Sequence, residues 1–215
     1  MKSKGILFGD FHSYRDFGLV LNDANIPPAL PKTTYVEIPG SDEPLDTTEA
    51  LGEVQYDCRD CKFIFVVDSS VKTSFEDKKT EVSNALNGRK FKITLDADDA
   101  FYYYGRVTVD NYAQRGNLRQ IVMSANVAPY KMKRMETVVS QTITDEGVVS
   151  CYNERKSVVP IITTDADFVL KFNNISVAVS AGETIVPDIK FVQGENVVTC
   201  IGTGNVTFTY REGSL

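Results

Sequence analysis

Apolar residues in this chain recur mostly at every second position, the spacing of strands with one buried face. From Glu53 to Asp68 (EVQYDCRDCKFIFVVD) the alternation puts Val54, Tyr56 and Cys58 on one face. Phe63 to Val67 is apolar on both faces, as expected of a strand inside a sheet. Phe17 to Asn22 (FGLVLN) predicts a shorter strand that closes in the Asn22-Asp23 turn, and Pro27-Pro28 with Pro31 forces an extended crossing after it. Phe91 to Leu95, Phe101 to Asp110 and Leu118 to Val127 read as three antiparallel strands. Asp96 to Asp99 and the Arg115-Gly116-Asn117 turn would join them. The set Tyr102, Tyr104, Val107 and Val109 changes phase near Gly105, which predicts a bulge there.

One stretch breaks the period of two. Ser74 to Asn87 (SFEDKKTEVSNALN) spaces Phe75, Val82, Ala85 and Leu86 along one narrow helical stripe. Ser74 or Thr73 is placed to cap the exposed amides, Glu76 and Asp77 sit where the helix dipole favours anions, and Gly88 is placed to end the helix in the left-handed region. Further on, Ala128-Pro129-Tyr130 and the basic run KMKRM predict a boundary between residues 1–132 and 133–215. Beyond it come short strands at roughly 8 to 12 residues' spacing, the rhythm of a β-sandwich. They are VVSQTI, VVSCY, VVPIIT, FVLKF, ISVAV, IKFV, NVVTCI and NVTFTY. The predicted class is mainly β with one α-helix.

Composition narrows the function. The chain has 215 residues, enough for two domains with cores of their own, and a formal net charge of −6. That acidic balance argues against sequence-specific nucleic-acid binding, since phosphate contacts need clustered cations. Four cysteines, at 58, 61, 151 and 200, are too scattered for a disulfide scaffold and are expected to be reduced. The apolar stretch of MKSKGILFGDFHSY is interrupted too early for a signal peptide, and no run approaches a membrane span, so a soluble protein with no membrane partner is expected.

Candidate chemistry is sparse. Cys58-x-x-Cys61 lacks a second ligand pair and falls within a predicted strand, so small buried hydrophobes are the expected role. Asp96, Asp98 and Asp99 have oxygens suited to calcium but lack the glycine and distal glutamate of the EF-hand loop, which favours a solvated hairpin tip. His12 is the sole histidine, too little for a hydrolytic triad; its plainer use is a hydrogen bond near the N-terminal turn. Tyr102-Tyr103-Tyr104 suits either sugar stacking or core packing, and alternate tyrosines on a strand favour the core. Neither catalytic residues nor a cofactor or metal site is expected.

What remains is a loop. Thr34 to Gly52 (TYVEIPGSDEPLDTTEALG) begins with Tyr35 and Glu37 alternating against Val36 and Ile38, then turns at Pro39-Gly40 into an acidic segment with Pro44. About 14 residues without an element of their own is long for a compact domain and typical of interaction loops. Leu45 and Leu51 inside it need a cover, and a neighbouring subunit is the expected one. The candidate inter-subunit residues are therefore Tyr35, Glu37, Pro39, Gly40, Asp42, Leu45, Asp46 and Leu51.

These residues carry a resemblance. Phe17-Gly18, then YVEIPG from Tyr35 with Asp42, Leu45, Asp46 and Thr48-Glu49, the Arg59-centred strand ending Phe63-Ile64-Phe65, and Asn87-Gly88 occur in the order of one known family. Pro129-Tyr130-Lys131 at the junction and the ending from Gly194-Glu195-Asn196 to Phe208-Thr209-Tyr210-Arg211 complete it. The chain resembles the distal tail (Dit) proteins of long-tailed, non-contractile bacteriophages along nearly its whole length. The resemblance implies a tail-tube-like N-terminal β-sandwich with one helix and a small galectin-like C-terminal β-sandwich. It also implies a hexameric ring at the virion tail tip, assembled in the bacterial host cytoplasm. Its expected partners are further copies of itself, the tail tube protein and a tail-associated lysin or tail-tip hub protein, and in many such phages a receptor-binding protein or host glycan. A carbohydrate-binding module recognising cell-wall or surface glycans is the alternative.

Overall fold

The computed structural model describes residues 5–50, 52–115 and 118–215, with the backbone alone at 114 and 115. The chain is mainly β, built of several antiparallel sheets, and divides into two compact units, Met1–Lys131 and Met132–Leu215.

In the first unit, β1 (Ile6–Phe8), β2 (Phe11–His12) and helix α1 (Ser13–Phe17) lead into β3 (Leu19–Asn25). Two short strands, β4 (Tyr35–Val36) and β5 (Leu45–Asp46), pair only with each other. Then follow β6 (Arg59–Val67), helix α2 (Phe75–Leu86), β7 (Lys90–Leu95), β8 (Phe101–Arg115) and β9 (Leu118–Val127). The main sheet of this unit runs β2-β1-β7-β8-β9-β6-β3, each neighbour antiparallel. Period-two patterning aims Cys61, Phe63, Phe65 and Val67 of β6 and Ile121, Met123, Ala125 and Val127 of β9 at one core. Phe8 lies at its centre, its ring 6.4 Å from Phe63 and 6.3 Å from Phe65. Helix α2 adds Phe75, Val82 and Leu86. Its cap is Ser74, which accepts from the Asp77 N–H, and Gly88 follows at φ 75°.

Several expectations need correction. A second helix, α1, occupies the start of the expected Phe17–Asn22 strand, because Gly18 at φ 64° ends a helical turn there and β3 begins only at Leu19. β6 starts at Arg59, leaving Val54 and Cys58 outside any strand and Tyr56 in a single bridge to Pro31. No bulge occurs at Gly105, where the ladder is regular; the register shifts between Val109 and Asn111. Asp96 to Asp98 does join the antiparallel strands β7 and β8 as expected, in the form of a 3-10 turn. Gly116 and Asn117 of the expected turn lie outside the described residues.

The boundary falls within β10 (Lys131–Lys133). The second unit continues with β11 (Thr137–Ile143), β12 (Glu146–Asn153), β13 (Ile161–Thr164), β14 (Phe168–Phe172) and β15 (Ile175–Val179). It ends with β16 (Gly182–Ile185), β17 (Gly194–Ile201), β18 (Gly204–Tyr210) and β19 (Gly213–Ser214). Two four-stranded antiparallel sheets form, β11-β18-β13-β16 and β12-β17-β14-β15. Their inward side chains make one cluster in which Val149, Cys151, Leu170 and Val198 of one sheet join Ile143, Ile162, Val206 and Phe208 of the other. Phe191 is the hub, its ring 5.2 Å from Tyr210 and 5.9 Å from both Phe172 and Phe208. The expected strand around it (IKFV) does not form beyond a bridge to Val158, because the Asn196 carboxamide takes up both the N–H and the C=O of Val192. The fourth strand is instead the polar Gly182–Ile185 segment.

Candidate assembly interface

The candidates for chemistry are dispersed. Cys61 faces the core of the first unit while Cys58 is exposed ahead of the strand, and among the described residues no group of three or more His, Cys, Asp or Glu is placed to hold a metal ion. His12 caps α1: its Nδ1 accepts from the Tyr14 and Arg15 N–H groups at 3.2 Å, so the proton sits on Nε2, which faces Asp96 at 3.2 Å. Asp96 also accepts from the Gly5 N–H at 2.9 Å, and Asp98 binds Lys131 at 2.7 Å, so these carboxylates stitch the unit together. Of the three tyrosines, Tyr103 turns inward, where burial raises its phenol pKa against the opposing pull of Arg59, and Tyr104 is exposed.

The excursion between β3 and β6 has a different character. Every residue from Pro31 to Asp46 is exposed. The segment is nevertheless ordered by its own backbone. Tyr35 pairs with Asp46 and Val36 with Leu45. Thr34 and Thr47 lock the base of this ribbon, the Thr47 N–H donating to the Thr34 carbonyl at 2.8 Å and the Thr34 N–H to Thr48 Oγ1 at 3.0 Å. Asp46 accepts from the Thr48 N–H at 2.9 Å, and the hydroxyl and amide of Thr48 hold the Asp46 carboxyl below the usual carboxylate range. At the tip, Gly40 takes φ 88°, which an L side chain adopts only under strain, and Ser41 closes the turn by donating to the Glu43 carbonyl at 2.9 Å.

Below the ribbon, Lys32 and Asp57 tie the two limbs through the Pro31–Tyr56 bridge and backbone bonds of 2.8 and 2.9 Å from Lys32 to Gln55 and Asp57 to Leu30. The root is fixed by buried Arg59. Its Nε donates to the Pro129 carbonyl at 2.8 Å, one Nη to the Pro27 carbonyl at 3.4 Å, and its guanidinium lies 5.7 Å from the centre of the Tyr103 ring. Sequence reasoning missed this clamp; a lone arginine alternating with Cys61, Phe63 and Phe65 on a core face is the signal that points to it.

An ordered arm therefore stands in solvent carrying apolar side chains. Leu45 is 53% exposed, Tyr35 56%, Val36 48% and Ile38 47%. Val36 and Leu45 are directly paired and so share one face of the ribbon. The structure brings together Tyr35 with Asp46 at one end of the arm and Glu37, Pro39, Gly40 and Asp42 around a concavity at its tip. Leu51 lies outside the described residues. Val36 and Ile38 are additions to the sequence-derived set, since an alternation exposed on both faces offers no way to choose between them. A two-stranded ribbon has no core and gains little from its own apolar residues, so this arm has the composition of a contact surface.

Two units in this order, the first built on the antiparallel path β2-β1-β7-β8-β9-β6-β3 with two helices and the second on a pair of four-stranded sheets, give the chain the fold of a phage distal tail protein. The crystal structure of the SPP1 Dit protein (gp 19.1), described as a paradigm of the hub adsorption apparatus in phages infecting Gram-positive bacteria, is similar over 100% of both chains. The TM-score is 0.73 at 14% sequence identity. No family model and no curated protein sequence matches the chain.

Proposed function

We propose that this chain is a structural, non-catalytic subunit of the tail tip of a long-tailed phage or a prophage-derived particle. Six copies close into a ring through their arms, and the ring joins the tail tube above to a tail-tip hub or tail-associated lysin below. In this reading the first unit is the tail-tube-like, ring-forming domain. The second is a small galectin-like sandwich, for which two sheets around one core are the required parts. The chain is built into the virion tail in the bacterial host cytoplasm. The observation that carries the reading is the exposed, internally ordered arm on a fold that matches the SPP1 Dit structure along its full length. A ring built from a heterologous contact needs one projecting surface per copy and a distinct surface to receive it.

The carbohydrate-binding alternative needs an aromatic platform. Of the aromatics after residue 137, Phe168, Phe172, Phe191, Phe208 and Tyr210 are buried, which leaves Tyr152, 63% exposed, alone on the outer face of β12. Mass photometry and negative-stain imaging of the purified protein test the main reading. Six-fold rings are the expected species. A monomer at every concentration, together with specific hits on a glycan array, would overturn it in favour of the module.

A further inference from the structure

The arm has a charge as well as an apolar face. Between Thr33 and Ala50 there are five acids, Glu37, Asp42, Glu43, Asp46 and Glu49, and no base. None of the five is joined to a cation among the described residues. Acids in water are unremarkable singly, but five on a ribbon with Tyr35, Val36, Ile38 and Leu45 specify the partner: it must offer cations interleaved with apolar or aromatic surface.

One such surface exists on the same unit. In the β7–β8 ladder Lys90 pairs with Arg106 and Lys92 with Tyr104, so these four side chains share one face of the sheet. All four are exposed, and Arg89 beside them is exposed too. Lys92 lies 5.0 Å from the centre of the Tyr102 ring, leaving a cation spread over an aromatic face. Arg106 binds the Gly88 carbonyl, which holds its guanidinium against the end of α2. No carboxylate pairs with Arg89, Lys90, Lys92 or Arg106 among the described residues. Three unneutralised cations on one sheet face, Lys90, Lys92 and Arg106, are a cost that a second, oppositely charged surface removes. Arm and patch belong to one compact unit, and within it both remain open to solvent.

We propose that the basic, tyrosine-bearing face of β7 and β8 is the receiving half of the ring contact: the acidic arm of one copy docks on Lys90, Lys92 and Arg106 of the next. The inference rests on the ring reading above and deepens it by naming the second surface. Because arm and patch differ, the contact is head-to-tail, and each copy uses both.

Charge reversal tests this directly. Two full-length variants are made, one with Lys90→Glu, Lys92→Glu and Arg106→Glu, the other with Glu37→Lys, Asp42→Lys and Glu43→Lys. Circular dichroism checks that each stays folded, as exposed substitutions should. Each alone is expected to associate roughly 100-fold more weakly than the wild type, since like charges then face each other. Mixed in equal amounts, the two should restore assembly, because basic arms meet acidic patches and acidic arms meet basic ones in alternation. Native mass spectrometry of the mixture reads this composition. Assembly of the patch variant at wild-type strength, or a mixture that stays as weak as its parts, would overturn the inference while leaving the ring reading intact. A wild type that never associates would remove both. Tight binding of a short DNA duplex by the wild type but not the patch variant, with assembly unchanged in both, would assign the patch to nucleic acid and overturn the docking proposal.

Discussion

At Gly105 the chain has no room for a Cβ. One built there would lie 2.2 Å from the Asn126 carbonyl oxygen and 2.6 Å from Val127 Cα, both backbone atoms of β9. The glycine serves close approach of two strands and not a left-handed turn, which is why its place in the apolar pattern suggested a bulge that the ladder does not contain. Gly105→Ala is expected to cost about 3 kcal/mol, since relief requires moving backbone; a urea titration of the variant measures it. The cysteines make a second residue-scale prediction. Burial raises the thiol pKa of Cys61 and Cys200 to about 11 and that of Cys151 to about 12, with Cys200 adding to the effect on Cys151. The thiolate is the reacting form, so all three are inert in the folded protein, whereas Cys58 is exposed. A thiol-reactive dye should label one cysteine in buffer and four in denaturant. Rapid native labelling of a second thiol would show that one of the cores opens.

The elements divide according to how strongly their local pattern was constrained. Strands with a clean period of two and helix α2, whose cap, acidic first turn and terminating glycine agree, were legible in the sequence, because each local preference points the same way. Those that escaped it have mixed signals. Helix α1 is five residues long and rests on an unusual cap, the His12 ring, while β16 is a polar edge strand defined only by its pairing with β13. The arm was legible as an exposed, acidic, proline-broken loop, but its internal ribbon was not, since two-residue strands with both faces in water leave no periodicity to read. Nor was the patch on β7 and β8, which needs the Lys90–Arg106 pairing to bring residues 16 apart in sequence onto one face. Leu45→Asp belongs to this scale. Leu45 touches no core, so the substitution should leave the melting temperature of the monomer within about 0.5 kcal/mol of wild type in stability terms. On the proposed ring reading, association should weaken, because the apolar Val36–Leu45 face of the arm then carries a charge. Sizing chromatography beside a thermal melt separates the outcomes: a monomer that unfolds early would place Leu45 in an intramolecular core.

At the scale of the molecule, each unit has its own core, and the second also fastens its own beginning to its end. The Lys133 N–H donates to the Glu212 carbonyl at 3.0 Å, the Lys133 ammonium binds the Glu212 carboxylate at 2.7 Å, and the Lys156 N–H donates to the Gly213 carbonyl at 2.9 Å. Glu212 is only 3% exposed, so losing this partner would leave a buried carboxylate without its cation. Burial works to lower the Lys133 pKa, but the Glu212 hydrogen bond and charge, with Glu154 behind them, outweigh it and hold the ammonium above its usual 10.5. Residues 132–215 expressed alone are therefore expected to fold, with a cooperative thermal transition. In that fragment Lys133→Met should cost about 2 kcal/mol, since it strands a buried carboxylate, discounted because Lys133 itself is one-third exposed. The pH dependence follows from the sign of the shift. A folded-state pKa raised above the unfolded value makes a contribution that is fully present below about pH 10.5 and lost as pH rises through the folded-state value. Melting the fragment and its Lys133→Met variant across that range should show their stabilities converging at alkaline pH. A gap that stays constant would mean that the lysine acts through packing of its aliphatic stem and not through its charge on Glu212.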